Sequence, residues 1–103
     1  MTDQARHPSW CDPSRCGVAA GKPTGTHCSR AVRMGPEPPG IVVAEVFLAQ
    51  GARLEGFPWS GRPYVGLALG EAEDEELALS PLEIDLARSL GRVLIGFARE
   101  AVK

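Results

Sequence analysis

Five side chains able to ligate a metal fall in the first 28 residues: His7, Cys11, Cys16, His27 and Cys28. They are all the histidines and cysteines of the chain, and the spacing is His-x3-Cys-x4-Cys-x10-His with Cys28 following directly. Zinc takes four sulfur and nitrogen ligands in a tetrahedron. Thiolate and imidazole together favour it over magnesium or calcium, which want oxygen. Gly17, Gly21, Gly25 and Pro23 lie between the outer candidates, in a loop that can curl round an ion without a hydrophobic core of its own. Residues 1–34 offer few apolar groups, so a metal is the natural agent to order them. Four of the five candidates suffice. His27 and Cys28 do not converge easily on one ion, because successive side chains point apart. Spacing alone leaves the choice open.

Other uses of these cysteines fit less well. A disulfide would leave one thiol over, and a cytosol would reduce it. A nucleophilic or redox cysteine has neither a C-x-x-C pair nor a Ser/His/Asp set beside it. No Walker loop, dinucleotide fingerprint or carboxylate dyad is present. The acidic run 71–76 lacks the glycine and alternating ligands of a calcium loop.

The elements that must hold such a site follow from hydrophobic patterning. The chain has 103 residues, enough for one domain, and its composition is near the globular average. Pro36, Pro38 and Pro39, between Gly35 and Gly40, divide it. We expect a zinc-binding loop module over 1–34, a linker over 35–40 and a ββ(β)α core over 41–103. Residues 41–50 are rich in β-branched residues. Ile41, Val43 and Phe47 lie on one face and Val42, Val46 and Leu48 on the other, which suggests a strand covered on both sides. Residues 51–61 read as a long connection in which Phe57 and Trp59 flank Pro58. Residues 64–69 alternate as a second strand, and Leu77 and Leu79 suggest a short third.

Ser80-Pro81-Leu82-Glu83 reads as a helix start, with Ser80 as N-cap and Glu83 closing a capping box. Leu82, Leu86, Leu90, Val93, Leu94, Phe97 and Ala101 then form one apolar stripe. Ile84, Ala87, Gly91, Ile95, Ala98 and Val102 form a second. One stripe is enough to cover a small sheet. The other is left for the front piece or for a second subunit, which makes a homodimer through this helix an expectation. The fold class is therefore α+β: a small two- or three-stranded antiparallel sheet packed by one C-terminal helix, with an N-terminal zinc-stabilised loop.

The opening resembles a group of small uncharacterised actinobacterial proteins that begin Cys-Pro-x-Trp-Cys. They continue through a Cys or His to a later His, and end in a Leu-Ser/Thr-Pro-x-Glu helix. The corresponding residues here are His7-Pro8-Ser9-Trp10-Cys11, Cys16, His27 and Leu79-Ser80-Pro81-Leu82-Glu83. His7 replaces the usual first Cys, a swap that keeps a zinc ligand. The resemblance implies His7, Cys11, Cys16 and His27 as the ligands, with Cys28 spare. It implies no activity.

Charge narrows the function classes. Residues 1–34 carry five basic and two acidic side chains, and residues 35–103 carry six and eleven. A mildly acidic whole argues against broad nucleic-acid binding. No apolar run reaches the roughly 18 residues of a membrane span, and the first ten residues hold no signal-peptide core. The expectation is a cytoplasmic, non-enzymatic zinc-binding module for protein interaction or regulation, with no membrane partner. The alternative is a transcription-related nucleic-acid-binding factor that uses Arg15, Lys22, Arg30 and Arg33 of the basic front piece.

Overall fold

The computed structural model describes residues 7–18, 25–51 and 61–102. The expected loop at Phe57, Pro58 and Trp59, and the basic residues Lys22 and Lys103, lie outside the described residues. The elements are β1 (His27–Cys28), β2 (Val32–Met34), β3 (Val42–Gln50), β4 (Pro63–Glu71), β5 (Ala78–Leu82) and α1 (Ile84–Ala101). The fold is α+β, with a five-stranded antiparallel sheet followed by one helix.

The β-branched run of β3 pairs along its whole length with β4, Val42 opposite Glu71 and Gln50 opposite Pro63. β5 closes the sheet beyond β4. On the other side of β3 lie two very short strands in line, β1 and β2. They behave as one edge strand with a bulge. Ser29 donates its amide to the Leu48 carbonyl at 2.8 Å, and Val32 is already opposite Val46. Arg30 and Ala31 thus face Phe47 alone. One extra residue of this kind bends an edge strand and frees a backbone group from the ladder.

Side chains of β3 alternate between two faces. On one of them Val43, Ala49 and Ala68 are buried. Phe47 belongs to that face, and its ring lies over Gly66 directly opposite, where a Cβ would collide with the ring. Leu77 folds back beside Gly70 on the same side. The second face carries Val42, Val46 and Leu48, and Val42 is exposed. Among the described residues this second face is only partly covered, so the expectation of a strand covered on both sides is met in part.

The helix also departs from expectation at its start. Ser80, Pro81 and Leu82 belong to β5, with Leu82 opposite Val65, and α1 begins at Ile84. Glu83 takes the cap position, with no side-chain capping bond. Pro81 is tolerated in a strand here because β5 is an edge, where a missing N–H breaks no ladder bond. The helix touches β4. Its half-buried residues are Ile84, Ala87, Leu90 and Gly91, all in its first half. Three of these come from the second apolar stripe. The stripe expected on the sheet is largely exposed, Leu86, Val93, Leu94 and Phe97 included. No helix among the described residues is long and apolar enough to cross a membrane.

Candidate metal centre

Two turns shape the loop that carries the first three candidates. Cys11 donates its amide to the Pro8 carbonyl at 3.0 Å, and Arg15 donates its own to Asp12 at 2.9 Å. The Asp12 carboxylate fixes the second turn by accepting from the Ser14 amide and hydroxyl at 3.0 and 2.8 Å. The hydroxyl first, then the amide, holds that carboxyl below its usual range. The second turn lies between Cys11 and Cys16 and brings the chain back on itself.

Two backbone bonds strap this loop to β1, one on each side of His27. Asp12 donates to the Cys28 carbonyl at 2.8 Å, and Gly17 donates to the Thr26 carbonyl at 2.9 Å. Between the straps His27 is presented to the loop. Gly25 makes the approach possible, because a Cβ there would run into the Gly17 carbonyl.

The loop thus brings together His7, Cys11, Cys16 and His27, whose ligating atoms all lie within 4.8 Å of one another. The His7 Nδ1 is 3.5 Å from both Cys11 Sγ and Cys16 Sγ. The His27 Nδ1 is 3.7 Å from Cys11 Sγ and 3.5 Å from Cys16 Sγ. The imidazoles meet edge to face, with centroids 4.9 Å apart and planes at 81°. Zinc–sulfur bonds of about 2.3 Å and zinc–nitrogen bonds of about 2.05 Å, at the tetrahedral angle, require sulfur–nitrogen edges of about 3.6 Å. The four observed edges fit that figure. The Val18 amide also donates to Cys16 Sγ at 3.3 Å.

The electrostatics suit a cation. Burial first, then Cys16, pushes the Cys11 thiol up. Burial first, then the charge of His7, pushes His27 down. The three cysteines are free thiols. Cys28 stays outside the cluster. It is opposite Ala49 while His27 is opposite Gln50, so the neighbours in β1 point to opposite faces of the sheet. Together these observations give a His/Cys cluster that could hold a metal ion.

No known family model, curated protein or solved structure matches the chain. The case for the site therefore rests on its own geometry.

One supporting residue carries no sequence signal. Ser29 is buried in the bulge beside the site. Its Oγ accepts the Leu48 amide at 2.8 Å, taking the place of its own carbonyl in the ladder. The freed carbonyl accepts from Arg15 Nη1 at 2.6 Å. Arg15 sits between the two cysteine ligand positions, and its guanidinium also lies 5.1 Å from the Phe47 ring centroid. Ser29 thus joins the sheet to the loop. Ser29→Ala should leave the Leu48 amide unpaired and cost about 1–3 kcal/mol, read as a lowered denaturation midpoint.

Two of the four front-piece cations named for nucleic-acid contact are engaged within the chain. Arg15 is bound as described, and Arg33 lies 3.5 Å from Glu45 across the β2–β3 pair. Trp10 is half-buried and lines a cleft of about 680 Å³ with Pro13, Val46, Leu48 and Val65.

Proposed function

We propose that this chain is a zinc-binding, non-enzymatic module for protein interaction or regulation, with the ion held by His7, Cys11, Cys16 and His27. The observation that carries the reading is the set of four sulfur–nitrogen edges of 3.5 to 3.7 Å. Two thiolates and two neutral imidazoles balance the charge of a divalent ion. They also fill all four of its coordination positions with protein, which is the pattern of structural rather than catalytic zinc. In this role the ion replaces the hydrophobic core that the front of the chain lacks.

Metal analysis of protein purified without chelator should find one zinc per chain. Cobalt exchanged into the site should give the absorption of a tetrahedral sulfur–nitrogen centre. Cys11→Ser and His27→Ala should each lower metal content sharply, and Cys28→Ser should not. Protein devoid of metal, or a site that survives His27→Ala and not Cys28→Ser, would overturn the assignment.

A further inference from the structure

Two apolar surfaces of this chain are left largely open by the described residues. One is the second face of the sheet. Directly opposed residues share a face, so Val42 and Val46 of β3 stand with Val32 and Met34 of β2 and with Leu67 and Leu69 of β4. Val42 is 58% exposed, Met34 48% and Leu69 47%, while Val43 and Ala49 on the opposite face are at 0%. The cleft beside Trp10 opens over Val46 and Leu48 of this same face. The other surface is the outer half of α1, where Leu94 is 60% exposed, Phe97 73% and Val102, just past the helix, 84%.

We propose that two copies of the chain associate about a two-fold axis, the outer half of each α1 lying across the open sheet face of the other. Residues 92–102 of the helix are all exposed, so its outer half covers no part of the sheet in its own chain. Glu83 alone links β5 to α1, so the end of β5 sets the direction in which the helix leaves. The radius of gyration is 16.4 Å, against about 13 Å for a closed domain of this size.

The two surfaces match in extent and in chemistry. Residues 93–102 of the helix cover about 15 Å at 1.5 Å per residue. That is enough to cross β2, β3 and β4 at about 4.8 Å spacing. Arg88, Arg92 and Arg99 lie on the far side of the helix and stay in water. On the sheet face, Gln50 and Glu71 stand at the two ends of the β3–β4 pair, with apolar residues between them. The large apolar side chains exposed on the two surfaces range from 42 to 84% exposure, a supply of apolar area suited to a standard interface, which buries about 800 Å² per partner. A two-fold arrangement covers both surfaces on both copies at once and leaves no open end. For this reason the partner is a second copy.

Sedimentation of the native protein at high micromolar concentration should give a dimer mass. Phe97→Glu on the helix and Leu69→Lys on the sheet should each give a folded monomer, with the dissociation constant raised at least about 100-fold by one unpaired charge against an apolar face. Circular dichroism should be unchanged in both, since both residues are exposed within the chain. Mixing the two variants should restore association, because one helix-on-sheet contact of the pair is then intact. A native monomer overturns the proposal. So does a Leu69→Lys protein that remains dimeric while Phe97→Glu does not, since helices would then be pairing with each other. A Phe97→Glu protein that stays dimeric overturns it as well.

Discussion

Protein carrying Cys16→Ser, or native protein stripped with a strong chelator, should lose the order of residues 7–18 while β3, β4 and β5 stay folded. The magnitudes decide this. Fixing the backbone of these twelve residues costs on the order of 12–24 kcal/mol. Among the described residues and outside the His/Cys cluster, the polar contacts of the loop with the rest of the chain are the two backbone straps, the Arg15–Ser29 bond and the guanidinium over Phe47. Four contacts of this kind return about 2–6 kcal/mol. A structural zinc ion contributes about 10–16 kcal/mol in small zinc domains. With the ion the sum is close to balance or favourable, and without it the loop has no means to stay fixed. Hydrogen exchange provides the readout. The amides of Cys11, Asp12, Arg15 and Gly17 should lose protection, while those in the centres of β3 and β4 keep theirs. Cys28→Ser should change neither set. If the loop amides stay protected after the metal is removed, packing holds the loop and the ion is incidental.

That loop was legible in the sequence to the extent that its function depends on residue type. Cysteine and histidine are scarce here, and their clustering before Gly35 is visible without coordinates. The reason Cys28 stands apart is not visible. It depends on His27 and Cys28 both lying in a strand, and a two-residue strand has no periodicity to read. The same holds for Ser29, whose side chain enters the ladder only because a bulge follows it. β3, β4 and the body of α1 are long enough for their period to show, and all three are found close to their expected limits. The start of α1 teaches the opposite lesson. Ser80-Pro81-Leu82-Glu83 satisfies every local rule for a helix start. Yet the pairing of Ser80 with Leu67 and Leu82 with Val65 claims these residues for the sheet. Pairing across 13 to 17 residues of sequence leaves no trace in a four-residue motif. The choice of helix face was hidden for a related reason. Both apolar stripes satisfy the helical period, and only the exit angle after Glu83 decides which one meets β4.

Gly66→Val should be among the most damaging single changes outside the metal cluster, although valine favours strands. Residue 66 is buried in the middle of β4, directly opposite Phe47. A Cβ there would lie 2.7 and 2.8 Å from two of the ring carbons and closer still to a third. Glycine here provides the floor on which the ring rests, and the Arg15 guanidinium closes over it. Valine in place of glycine in a strand is favourable by up to about 1 kcal/mol where space allows. Forcing extra carbons into a filled position costs about 1–3 kcal/mol, so the clash outweighs the propensity. Displacing the ring also removes the seat of Arg15, which weakens the tie between sheet and loop. We expect a net loss of about 1–2 kcal/mol, or a melting temperature lower by about 4–15 °C for a domain of this size. Metal content should be unchanged, since none of the four His/Cys cluster residues moves out of reach. A second substitution isolates the cause. Phe47→Leu alone should destabilise, but in the Gly66→Val background it should cost little or restore stability, because the smaller side chain vacates the contested space. A coupling of at least about 0.5 kcal/mol between the two positions is expected, as for residues in direct contact. Additive effects would mean that the ring does not rest on Gly66 in solution.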